Sequence, residues 1–241
     1  MTEIPVDPEE SGDAPDPAVP PYRAQLLATE HWSLLASRST TQSEVLLRIA
    51  MLLTVVSAGL LSLGIVGQAT GFSETFAAFA AAVLGFASLV GVLTQVRVFN
   101  VGMEDLMYVL AMNRLRAAYV RLDPGIEPYL MTSAHDDAVG MAQTYYFLGA
   151  RSDASQVSGS SMVFVTAINS ALLGLLAAAI TATSGGEAWL MTVVGVACGL
   201  VYCTVSVLLG ARHFQNLWRT YEPRFPAPGA ARLAGADGDA A

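Results

Sequence analysis

Four apolar runs, 46–68, 76–96, 157–181 and 188–210, carry no charge except Arg48 near the opening of the first. Each reaches the length of about 20 residues that a helix needs to cross a hydrocarbon core of roughly 30 Å. A backbone in lipid must satisfy its polar groups internally, so runs of this kind predict helices. The chain is only 13% charged, about half the share typical of a soluble domain. The expected fold is therefore all-α. It is a polytopic membrane protein whose four transmembrane helices form two hairpins, 46–96 and 157–210, with a cytoplasmic helical hairpin at 97–156 between them.

The basic residues supply an orientation. All 12 are arginines, and they fall before or at the opening of the first run, between the second and third, and after the fourth. The two short connections, 69–75 and 182–187, hold none; each has one carboxylate, Glu74 and Glu187. Cytoplasmic loops retain Lys and Arg, so both termini and the central segment are expected inside. The net charge of −8 argues against a nucleic-acid partner, because phosphate binding needs a basic surface. Residues 1–21 are acidic and proline-rich, without the basic and apolar regions of a signal peptide. They read as a disordered tail, as do 227–241. Cys198 and Cys203 both lie in the fourth run and point in different directions on a helix, so no structural bridge between them is expected.

Outside the spans, 22–45 reads as a cytoplasmic or interfacial helix, with Thr41 and Glu44 spaced for a capping box that would start the first span. Span two is expected to continue into the cytoplasm until Asp123-Pro124-Gly125 breaks it. A second cytoplasmic helix is expected over 132–149, capped by Thr132 or Ser133, with Asp136 and Asp137 solvated in its first turn. Residues 211–226 are aromatic and Arg-bearing, as suits an interfacial helix.

Three groups of residues are candidate sites. Gly195 and Gly199 in span four and Ser170 and Gly174 in span three form small-residue stripes. Such stripes serve either self-association or packing inside one bundle, and the second is the simpler reading. Asn169 is a mid-span amide with Tyr202 and Thr204 as candidate partners; it suits either a solute path or an interhelical hydrogen bond, the commoner role. Asn113, Arg114, Arg116 and Tyr119 form a distinctive string that suits a cytoplasmic interaction surface, with Arg114 and Arg116 expected to pair with carboxylates of the central segment. The cluster His135-Asp136-Asp137 fans around a helix, so it is a poor metal or catalytic set. No catalytic residue, metal site or cofactor is expected.

The string Trp32–Ser39 leading into span one, Glu104-Asp105-Leu106 with Met112–Arg116, and Thr132–Asp137 together resemble a group of uncharacterised actinobacterial integral membrane proteins. That resemblance implies a bacterial plasma membrane and carries over no activity. The expected function is a non-enzymatic scaffold in the lipid bilayer, presenting its cytoplasmic segment to a protein partner and able to form homo-oligomers. The alternative is an oligomeric channel or small-solute transporter.

Overall fold

The computed structural model describes residues 21–149 and 159–228, and all regular structure among them is helical. The helices are α1 (Pro21–Thr70), α2 (Glu74–Leu122), a 3-10 helix (Pro124–Tyr129), α3 (Ala138–Tyr145), α4 (Ser161–Thr183) and α5 (Ala188–Thr220). Four of them, α1, α2, α4 and α5, are long and apolar enough to cross a membrane. The expected tails at 1–21 and 227–241, and the end of the 97–156 segment, fall largely outside the described residues.

The helix expected at 22–45 is not separate from span one. α1 runs unbroken for 50 residues, about 75 Å at 1.5 Å per residue. No Pro or Gly occurs from Tyr22 to Ala58 to interrupt it. Its serines and threonines stay in the helix by bonding back one turn: Thr40 Oγ1 donates to the Ala36 carbonyl at 3.0 Å and Ser43 Oγ to that of Ser39 at 2.9 Å. The capping box at Thr41 and Glu44 is therefore not formed. Glu44 instead accepts from Arg97 at 2.8 Å and from Arg48 at 3.0 Å.

α2 is almost as long, at 49 residues. It follows a tight turn in which Gly71 and Phe72 both adopt positive φ, 63° and 56°. The Phe72 ring meets Phe76 edge-on at 5.1 Å, and its N–H donates to Gly67 O at 3.1 Å. α2 packs against both α1 and α4, and α4 packs against α5, so α2 and α4 are the inner helices. Two apolar clusters hold α1, α2 and α4 together. One contains Val45, Ile49, Leu52, Val98, Val101 and Val165; the other is built on Leu84, Ala87 and Leu172.

Two further expectations change. The cytoplasmic helix proposed for 132–149 is only the eight residues of α3, and its cap is Asp137 rather than Thr132 or Ser133. Asp137 Oδ1 accepts from Gly140 N at 2.7 Å, while the residues before it wrap around Asn113 instead of coiling. The interfacial helix proposed for 211–226 is the end of α5, which runs to Thr220; residues 221–228 then leave the helix.

Candidate functional site

Among the described residues, a polar node joins three helices of the apolar half. Asn169, on α4, is fully buried. Its Nδ2 donates to the carbonyl of Gly91 at 2.9 Å and to Gln95 Oε1 at 2.7 Å, both on α2. Gln95 Oε1 also accepts from the Tyr202 hydroxyl of α5 at 2.8 Å, and Gln95 Nε2 donates to Thr166 Oγ1 at 3.2 Å. A Cβ at residue 91 would collide with Asn169 Oδ1, so glycine is what lets the amide reach the α2 backbone. Tyr202 is thus a partner of the node, through Gln95, whereas Thr204 is exposed and stands apart. Gln95, which the sequence reading passed over, is the centre. Its signal was a lone amide at the polar end of an otherwise apolar run, a residue that needs a partner in lipid.

The small residues of spans three and four meet one another. A Cβ on Gly174 or on Gly195 would lie 2.8 Å from the other residue's carbonyl oxygen, and one on Gly199 would lie 2.8 Å from that of Ser170. In this structure the stripes face each other within one chain, and Gly195 is the one buried residue of α5.

The polar half is organised by the carboxylates of Asp105, Glu44, Glu104, Asp136 and Asp137 and by the amide of Asn113. Asp105 on α2 accepts from Arg38 Nε at 2.6 Å, from Gln42 at 2.9 Å and from the Tyr145 hydroxyl at 2.7 Å, tying α1, α2 and α3 together. Glu44 takes Arg97, which also reaches Glu104 at 2.8 Å. Asn113 is fully buried. Its Nδ2 donates to His135 O at 2.8 Å and Gly140 O at 3.2 Å, and its Oδ1 accepts from Thr144 at 2.9 Å and Arg116 at 2.7 Å. Tyr119 stacks on His31 of α1 with ring centroids 5.9 Å apart. Arg114 pairs with Asp136, as expected, but Arg116 bonds the Asn113 carbonyl instead of a carboxylate. Asn113 therefore braces the central segment from within, while Arg114, Arg116 and Tyr119 are half-buried around it.

Asp136 is not solvated; it is completely buried. It accepts from Arg114, from the Tyr221 hydroxyl at 3.1 Å, and from the backbone N–H groups of Arg224 at 3.1 Å and Phe225 at 2.7 Å. Its own N–H donates to Phe225 O at 3.2 Å. Asp137 Oδ2 accepts from Ala227 N at 2.7 Å. Burial alone would push the Asp136 carboxyl upward, but its bonds from Arg114, the two amides and Tyr221 outweigh this and hold it below the usual carboxylate range. Asp136 is thus engaged by amides, a hydroxyl and Arg114, and Asp137 by the amides of Gly140 and Ala227. Among the described residues, no group of three His, Cys, Asp or Glu is placed to hold a metal ion.

The outer surface of the central segment is apolar in places. Tyr129, Met131 and Leu148 are 82%, 74% and 80% exposed. Met131 also lines a cavity of about 420 Å³ with Leu130, Tyr146, Phe147, Gln143 and Glu127. No protein family, curated protein or solved structure matches the chain.

Proposed function

We propose that the chain is a non-enzymatic scaffold of a bacterial plasma membrane. In this reading α1–α2 and α4–α5 are two membrane hairpins, both termini lie in the cytoplasm, and the segment 123–149 docks a cytoplasmic protein. The observation that carries it is the exposed trio Tyr129, Met131 and Leu148 beside an open cavity, on a segment pinned by Asn113 and Asp136. Large exposed apolar side chains on a polar segment, away from the apolar helix halves, suit a docking surface. The lipid-facing sides of α1 and α5 are open to the bilayer or to further copies of the chain. The channel or transporter reading draws less support, because Asn169 is buried and bonded to α2 rather than lining an opening.

The test is site-specific photo-crosslinking in cells. A photoreactive residue at Met131 or Leu148 should give a discrete adduct with a cytoplasmic protein. The same residue at Phe79, within α2's apolar half, should not. Met131→Asp with Leu148→Asp should abolish capture of that protein with insertion unchanged. Identical adducts from all positions, or none, would remove the scaffold reading.

A further inference from the structure

Five arginines of the polar half are bound inside the molecule: Arg38, Arg48, Arg97 and Arg114 to carboxylates and Arg116 to the Asn113 amide. Arg121 and Arg224 differ. Among the described residues neither is in an ion pair, and neither guanidinium makes a hydrogen bond. Arg121 meets the face of the Phe225 ring, 4.3 Å from its centroid, and Arg224 is engaged through its backbone N–H. Both line one cavity of about 330 Å³ with His135 and Glu127. The His135 ring and the Glu127 carboxylate also have no hydrogen-bond partner among the described residues. The backbones beneath these groups are fixed. Arg121 belongs to the last turn of α2. His135 donates its N–H to Ser133 Oγ at 3.1 Å, and its carbonyl accepts from Asn113 at 2.8 Å. The chain bends at Arg224 and Phe225, where Asp136 accepts both N–H groups, at 3.1 and 2.7 Å. Three segments distant in sequence thus converge on one opening and leave their side-chain donors to solvent or to a ligand.

A guanidinium pairs in a fork with carboxylate or phosphate, and stacking on a ring face leaves its N–H edge available. Glu127, Ala134 and His135 also border the neighbouring cavity of about 420 Å³, whose walls include Leu130, Met131 and Phe147. Apolar walls with a few convergent polar groups are the usual make-up of a small-molecule site. The geometry points to a binding site for a small organic acid. Its phosphate or carboxylate group meets Arg121 and Arg224. Its apolar or aromatic body lies past His135, against Leu130, Met131 and Phe147. Glu127, on the rim shared by the two cavities, disfavours a second acid group on that body. The site stands on this geometry alone and does not depend on a protein docking at Met131 and Leu148.

The experiment titrates the full chain in lipid nanodiscs and reads binding by ligand-observed NMR. The probes are phenyl phosphate and benzoate, with benzyl alcohol as the uncharged control. At least one acid should bind saturably with a Kd of about 1 mM or tighter, and the tighter of the two assigns the acid group. Inorganic phosphate and formate, the same acid groups without a body, should each bind about five-fold or more weaker than their aromatic counterparts. Arg121→Gln with Arg224→Gln should weaken the aromatic acid by about ten-fold or more. Arg23→Gln with Arg212→Gln removes the same charge at exposed positions elsewhere and should leave its affinity unchanged. Three results overturn the site: no saturable binding of either acid up to about 10 mM, equal weakening in the two double variants, or benzyl alcohol binding as well as the acids. Equal affinity for the acid groups without a body overturns the placement of the body. If the crosslinks from Met131 and Leu148 appear while neither acid binds, only this inference falls. Acid binding without those crosslinks leaves the site standing and removes the scaffold reading.

Discussion

Two residues of the polar networks, Gln95 and Asp136, each make a measurable prediction. Gln95 joins α2, α4 and α5 through Asn169, Thr166 and Tyr202. Gln95→Leu leaves Asn169 with one acceptor and removes the acceptor of the Tyr202 hydroxyl. It should destabilise the protein by about 1–2 kcal/mol in detergent unfolding assays. Thr204→Val, at an exposed position outside the node, should stay within about 0.5 kcal/mol. Equal effects would show that the node is not where the stability resides. Asp136 makes the second prediction. Its folded carboxyl is held below the usual range by Arg114, the two amides and Tyr221. A depressed carboxylate stabilises the fold fully above its unfolded value of about 3.9 and loses that contribution as pH falls through the lower folded value. Docking of 221–228 should therefore be constant from neutral pH down to about pH 4 and fail below it. Trp218, 5.8 Å from the Tyr221 ring, reports this by fluorescence once Trp32 and Trp189 are replaced by Phe. Asp136→Asn should abolish the acid transition because the docking is already weakened at neutral pH.

At the level of elements, the α4–α5 pair depends on backbone approach. A Cβ at Gly174, Gly195 or Gly199 meets a carbonyl oxygen of the facing helix at 2.8 Å, which only a separation of the helices relieves. Gly199→Val should cost about 1–3 kcal/mol and shift the unfolding midpoint downward. By contrast, Gly64→Ala, where a Cβ meets nothing within 4 Å, should be neutral or stabilising by up to about 1 kcal/mol. The positions of the four apolar helices were legible because charge-free runs of this length have few alternatives. Their far ends were not. Where α1 begins depended on Ser and Thr side chains bonding back along the helix instead of capping it. The length of α3 depended on Asn113, 22 residues from its acceptor at His135 in sequence. The central segment is shaped by that contact and by Asp136, which one sequence presents only as a polar residue near a helix start. Long-range hydrogen bonds leave no local trace, so cap chemistry alone places Asp136 in a solvated first turn and Asn113 in a string suited to an interaction surface.

For the molecule as a whole, the ion pairs and hydrogen bonds gather the arginine-bearing segments at one end. Arg38 and Gln42 of α1 meet Asp105 of α2, Arg97 meets Glu44, and the tail after α5 meets Asp136 and Asp137. The two short connections, with Glu74 and Glu187, are remote in sequence from these contacts. A chain whose three arginine-bearing segments bind one another cannot have one of them across the membrane from the others without breaking those bonds. The proposed orientation therefore makes an all-or-none prediction. After Cys198 and Cys203 are replaced by Ala, a cysteine at Ser73 or Ser184 should react with an impermeant maleimide in intact cells. A cysteine at Met131, 74% exposed, should react only after permeabilisation. Ser73 is suitable because its side chain makes no capping bond to α2. Ser184 is preferable to the neighbouring Gly186, where an added side chain would strike Thr181. Labelling of Met131→Cys in intact cells together with protection of both turns would invert the protein in the membrane. The polar end would then face outward, and a cytoplasmic partner for it would be excluded. Labelling at all three positions without permeabilisation would mean that the apolar helices do not separate two compartments, and the membrane-spanning reading itself would fail.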